Sequence, residues 1–121
     1  MYKILIQETE ESILEVLTIA LEAEGFMVKG MLGVNPGFLN IINDFRPHVV
    51  ILDFRLRGDD AIEICSTIKK QYPFLPILAL SCNSNIHLDY EKNGFDDYIS
   101  KPFDLNLLYH VLRKHIPKVE S

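Results

Sequence analysis

At 121 residues, 48% of them hydrophobic and 24% charged, the chain has the size and composition of one globular domain able to bury a core. Disordered, collagen-like and low-complexity classes are thereby excluded, and 12 Lys+Arg against 17 Asp+Glu give a net charge of −5, the wrong sign for a dedicated nucleic-acid binder. No apolar run approaches the roughly 20 residues that span a bilayer, no signal peptide opens the chain, and Cys65 and Cys82 cannot build a disulfide framework, so a cytoplasmic domain is expected.

Ile4-Leu5-Ile6 is a short β-branched run, the mark of a strand buried on both faces. Ile13, Leu14, Leu17, Ala20 and Leu21 then form a helical stripe that ends at Gly25. Phe26-Met27-Val28 restarts an extended segment, broken by Gly33-Val34-Asn35-Pro36-Gly37. Leu39, Ile41, Ile42 and Phe45 predict a second helix that stops before Pro47. Val49-Val50-Ile51-Leu52 is the strongest strand and closes at Asp53. Ile62, Ile64, Cys65 and Ile68 mark a third helix, ended around Tyr72-Pro73. Ile77-Leu78-Ala79-Leu80 is another buried strand, delivering Ser81 and Cys82. Between Asn83 and Asn93 the chain is polar, and only a short helix around Ile86 to Lys92 is expected. Tyr98-Ile99-Ser100 is the last strand, before Lys101-Pro102, and Leu105, Leu108, Val111 and Leu112 form the closing helix.

Alternation of strand and helix implies an α/β fold, an open, doubly wound parallel sheet with helices on both faces. In such sheets the functional crevice lies beyond the carboxyl ends of the strands. Gln7, Glu8, Thr9 and Glu10 follow the first strand, Asp53 the third, Ser81 the fourth and Lys101 the fifth. A carboxylate nucleophile can take a phosphoryl group if positive charge and hydrogen-bond donors neutralise the phosphoryl oxygens. Asp53 is the candidate nucleophile, Lys101 the ammonium clamp and Ser81 the hydroxyl donor. Glu8, with Glu10 beside it, is the candidate acid for Mg²⁺. As bland alternatives, Asp53 reads as a turn residue, and Glu8 and Glu10 as a solvated cap on the first helix. The four histidines, His48, His87, His110 and His115, show no ligand spacing and read as structural or surface groups, and Cys82 reads as a packed, inert thiol.

Four stretches carry a resemblance to the receiver domain of two-component response regulators across essentially the whole chain. They are Lys3-Ile4-Leu5-Ile6 with its acidic turn, Val49 to Asp53, Ile77 to Ser81, and Asp96-Asp97-Tyr98-Ile99-Ser100-Lys101-Pro102-Phe103. The resemblance implies a flavodoxin-like, five-stranded sheet of order 2-1-3-4-5 filling residues 1–121 as a single receiver, with no output domain. It implies Asp53 as phosphoacceptor, Ser81 as switch hydroxyl, Tyr98 as switch aromatic and Lys101 as the family lysine, with a cis Lys101-Pro102 bond. Mg²⁺ would be held by Glu8, Asp53 and the backbone carbonyl of Arg55. The implied partners are a histidine kinase or phosphotransfer protein and a downstream protein, with no direct nucleic acid or membrane. Two copies are expected to pair through the last strand and its flanking helices, where Tyr98, Phe103 and Tyr109 lie.

Departures from the pattern are as informative. Thr9 replaces the usual second acid, which should weaken Mg²⁺ affinity. Arg55 stands at the carbonyl-donor position, Arg57 replaces the usual proline, and Ala61 the usual glycine. Arg55 either substitutes in part for the metal, pairing with Asp53 or Glu8, or points into solvent. A phosphorylation-independent pseudo-receiver, acting as an interaction or dimerisation module, is therefore the alternative function. Enzymatic turnover is not expected beyond slow autodephosphorylation. An enzyme or flavin carrier on a similar sheet is disfavoured, because the acids after the first strand have the wrong sign for a phosphate cradle.

Overall fold

The computed structural model describes residues 2–33, 36–54, 58–82 and 85–116, with the backbone alone at 58–60. In chain order the elements are β1 (Lys3–Glu8), α1 (Glu11–Ala23), β2 (Met27–Leu32), α2 (Phe38–Phe45), β3 (Val49–Asp53), α3 (Gly58–Gln71), β4 (Ile77–Ser81), α4 (Ile86–Asp89), β5 (Asp97–Ser100) and α5 (Leu105–His115). The five strands are parallel, in the order β2-β1-β3-β4-β5. This is the flavodoxin-like arrangement, and its strand order reverses between β1 and β3.

Every residue of β3 and β4 is buried, as near-continuous apolar runs require of strands covered on both faces. The period of two sends alternate residues to different helical layers. Ile4, Ile6, Val49, Ile51, Leu78, Leu80 and Ile99 pack with Leu17 and Leu21 of α1 and Leu108 and Leu112 of α5. Leu5, Val50, Leu52, Ile77 and Ala79 pack with Ile42 of α2, Cys65 and Ile68 of α3 and Ile86 of α4. Edge strand β2 comes close to α1 at Gly30, where a Cβ would lie 3.0 Å from Leu14 Cδ1. At the start of α5, Asp104 Oδ1 accepts from the Asn106 backbone N–H at 2.8 Å, satisfying one orphan donor of the first turn.

The helix expected from Ile86 to Lys92 is a single turn, Ile86–Asp89. Beyond it the chain turns through Gly94 in the left-handed region (φ 94°) and folds back, so that the Phe95 N–H bonds to the Tyr90 carbonyl at 2.9 Å. Ile86 and Phe95 are the buried residues of this region, which leaves a longer helix little apolar surface to cover. Among the described residues, no helix is long and apolar enough to cross a membrane.

Candidate functional site

Parallel strands bring their carboxyl ends together, so the last residues of β1, β3 and β4 meet the residues just after β5. Glu8 ends β1 and is fully buried; Asp53 ends β3 with its side chain likewise out of solvent. Lys101 continues the β4–β5 ladder by one residue, its N–H bonding to the Ser81 carbonyl at 2.8 Å. A cis peptide bond then joins it to Pro102. Its ammonium reaches across the sheet to Asp53 Oδ1 at 3.1 Å and Glu8 Oε1 at 3.3 Å. Two buried carboxylates thus share one buried ammonium.

The rest of the site holds these carboxylates in place. Glu8 Oε1 also accepts from the backbone N–H groups of Thr9 (3.0 Å) and Glu10 (3.3 Å). Glu10 therefore contributes its main chain to the acidic turn. The Thr9 hydroxyl donates to Asp53 Oδ2 at 2.6 Å. Gln7, buried behind the carboxylates, accepts from the Asp53 backbone N–H at 3.2 Å and donates through Nε2 to the Gly33 carbonyl at 3.2 Å. It ties the end of β3 to the turn after β2. A polar residue at the end of an apolar strand is the one sequence feature that marks Gln7, and it does not name the partners.

Ser81 is buried at the end of β4, one residue beyond the Asp53–Leu80 register pair. Tyr98, half-buried in β5, lies on the α3–α4 side of the sheet with its ring centroid 5.0 Å from that of Tyr90. Arg55 and Arg57, expected at this crevice, lie outside the described residues. Ala61 is buried in α3. Cys82 is exposed, contrary to the expectation of a packed thiol. It follows the last residue of β4, where the chain leaves the sheet before α4 begins. Cys65 is the packed one: it donates to the Gly94 carbonyl at 3.4 Å, and burial pushes its thiol up to about 11.

Among the described residues, the electrostatics follow from two buried acids and one buried base. Burial raises the Glu8 carboxyl above the usual range and the Asp53 charge adds to this, against the pull of Lys101. Burial alone would lower Lys101, but the hydrogen bond and charge of Asp53, with Glu8 behind it, hold the ammonium above its ordinary value. Glu8 Oε2 is the unfinished part. It lies 3.2 Å from the Lys101 nitrogen, yet it is buried with no hydrogen-bond donor. A hard cation completes such an oxygen, and Mg²⁺ commonly uses one or two carboxylates and keeps several waters. Glu8 and Asp53 fit that requirement and would hold it. The set is thin, however, since the described residues contain no group of three His, Cys, Asp or Glu side chains placed to bind a metal.

Residues 4–113 match the response regulator receiver domain family. The chain is 32% identical over 121 residues to the DNA-binding response regulator MtrA of Mycolicibacterium smegmatis, covering 98% of this chain and 52% of that protein. It spans about half the length of the curated relatives it first matches. Among solved structures, NtrX from Brucella abortus superposes with a TM-score of 0.83 at 31% identity, over 95% of this chain and 27% of that one. The response regulator TrrA from Thermotoga maritima, in complex with Mg²⁺ and BeF, gives 0.78 at 25% identity, over 96% and 100%. Motif order, strand order and the convergence of Glu8, Asp53, Ser81 and Lys101 agree with that match: the chain belongs to the response regulator receiver domain family.

Proposed function

We propose that the domain works as a receiver in a two-component phosphorelay, accepting a phosphoryl group on Asp53 from a histidine kinase or phosphotransfer protein. An oxygen of Asp53 attacks phosphorus; the new O–P bond forms as the P–N bond to the donor imidazole breaks, and its electron pair returns to the ring. Lys101 stays beside Asp53 and balances the charge carried in by the phosphoryl oxygens. The Ser81 hydroxyl, delivered by the neighbouring strand, donates to one of those oxygens. Receivers generally bind Mg²⁺; held by Glu8 and Asp53, it supplies further charge neutralisation. Movement of Ser81 toward the phosphoryl group frees space for Tyr98 to repack, altering the outer face of β5 and its flanking helices for a downstream protein partner or a second copy. Hydrolysis of the aspartyl phosphate is a slow timer and no substrate is turned over.

The observation that carries this reading is the Lys101 ammonium 3.1 Å from a buried Asp53 carboxylate at the strand-order reversal. Incubation with acetyl phosphate and Mg²⁺, followed by intact-mass measurement, tests it. One phosphoryl group should add to the native chain and none to Asp53→Asn. An unmodified native chain at saturating donor would favour the phosphorylation-independent module. One observation favours that second reading: both Asp53 oxygens already accept hydrogen bonds, Oδ2 from Thr9 and Oδ1 from Lys101.

A further inference from the structure

We infer that Thr9 is a latch on the phosphoacceptor: its hydroxyl, opposite Lys101, engages the second oxygen of Asp53, so that cation binding and phosphoryl transfer both compete with this bond. The inference rests on the phosphoacceptor reading of Asp53 and adds what limits the reaction in this chain.

The two Asp53 oxygens have unlike partners. Oδ1 faces the Lys101 ammonium at 3.1 Å, a contact that remains useful once a phosphoryl group is attached, because the positive charge neutralises the incoming anion. Oδ2 accepts from the Thr9 hydroxyl at 2.6 Å, the length of a charge-assisted O–H···O⁻ bond. That bond draws electron density from the oxygen and occupies one of its two lone pairs, which makes the oxygen a weaker ligand and a weaker nucleophile. A carboxylate at position 9 would add an anionic acceptor for a cation, whereas the threonine places a donor there, reversing the polarity of the contact. Lys101 and Thr9 together leave Asp53 paired without any metal. Glu8 Oε2, which Thr9 does not reach, is the oxygen left without a donor.

The latch can open. Thr9 is exposed, so rotation about χ1 hands its hydroxyl to water and leaves no buried donor unsatisfied. Asp53 itself keeps its position through Lys101 and through the Gln7 side chain on its backbone N–H. Opening the latch therefore removes the Thr9 hydroxyl from Oδ2 without displacing the nucleophile.

The test compares the native chain with Thr9→Val, which keeps the branched shape and drops the hydroxyl, and with Thr9→Ser, which keeps the hydroxyl. Mg²⁺ alone is titrated and followed by backbone amide resonances, and the rate of modification by acetyl phosphate is followed by intact mass. Losing a hydrogen bond to a charged group corresponds to about a tenfold change, so Thr9→Val should bind Mg²⁺ about tenfold more tightly and react faster. Thr9→Ser should return both quantities toward native values, which a purely structural role would not produce. If Thr9→Val binds Mg²⁺ no better than the native chain while its thermal unfolding is unchanged, the latch is wrong. If Mg²⁺ binding tightens but no variant is ever modified, the latch stands and the phosphoacceptor reading fails.

Discussion

The two ends of the sheet carry two charge clusters, each centred on a buried carboxylate and differing among the described residues in the balance of acid and base. At the carboxyl ends, Glu8 and Asp53 share Lys101, with two acids to one base and one oxygen of Glu8 lacking a donor. At the amino ends, Asp97 opens β5 and meets two bases, His115 Nε2 at 2.9 Å and Lys114 at 3.1 Å, both from the last turn of α5. Its own backbone neighbour, the Tyr98 N–H, adds a third bond at 2.9 Å. Burial raises Asp97, but His115, Tyr98 and Lys114 outweigh it and leave the carboxyl below its usual range. Burial raises Glu8 as well, and there nothing outweighs it. The same desolvation thus leaves one carboxyl below its usual range at one end and one above it at the other. A buried carboxylate oxygen without a donor, such as Glu8 Oε2, is what a hard cation completes, and it comes at the expense of stability.

Substitutions should separate the two clusters. The largest effect is expected from Lys101→Met, which removes the ammonium that Glu8 and Asp53 share: about 3 kcal/mol of stability is lost in urea unfolding at neutral pH, and added Mg²⁺ recovers part of it. Equal stability with and without Lys101 would mean that the carboxylates are hydrated and the pairing unimportant. Asp97→Asn removes the charge that binds α5 to β5 and should cost about 2 kcal/mol. Because its folded pKa is depressed, Asp97 contributes fully above the unfolded value of 3.8 and loses that contribution as pH falls through the lower folded value. The stability difference between Asp97→Asn and the native chain should therefore shrink in acid unfolding series.

Glu8→Gln should act in the opposite direction. With its folded pKa raised, Glu8 favours folding below the unfolded carboxylate range and loses that advantage as pH rises through the folded value, so at neutral pH its charge opposes folding. The neutral isostere should be about 1 kcal/mol more stable at pH 7, while binding Mg²⁺ more weakly. Destabilisation by Glu8→Gln would erase the contrast between the two ends. The smallest effect concerns His48, at the amino end before β3. Its Nδ1 accepts from the Lys3 backbone N–H at 3.0 Å, its ring stacks edge-on to Tyr2, and burial lowers its pKa below 6.5. The neutral ring is the folded form, so its contribution is complete above pH 6.5 and falls as pH drops below that. Stability should fall as pH drops below 6.5, and His48→Gln should flatten that slope in denaturation midpoints.

The sheet was legible because both faces of its inner strands are buried, which writes them as uninterrupted apolar runs such as Val49 to Leu52. The site was legible because parallel strands place Glu8, Asp53, Ser81 and Lys101 at one end, whatever the lengths of the connections. Side-chain polarity within the crevice was not. Nothing in the spacing says that Lys101 serves both carboxylates, that Gln7 bridges β3 to the turn after β2, or that Thr9 donates to Asp53. Those contacts depend on rotamers chosen after the fold has closed. That α4 is short was expected from the polar stretch around it, but not where it ends. A polar stretch with one buried anchor, Ile86, carries no periodic signal for its length. Reading His115 as structural agrees with its pairing to Asp97, a partner 18 residues away that spacing alone does not indicate.

The most direct measurement of the contrast is an amide NMR spectrum recorded with Mg²⁺ before and after addition of beryllofluoride, a phosphoryl mimic. Resonances of Thr9, Asp53, Ser81, Tyr98 and Lys101 should shift strongly, while those around His48 and His115 at the opposite end hold their positions. An unchanged crevice, or equal shifts at both ends, would contradict the assignment of the carboxyl-end cluster as the phosphoryl-responsive site.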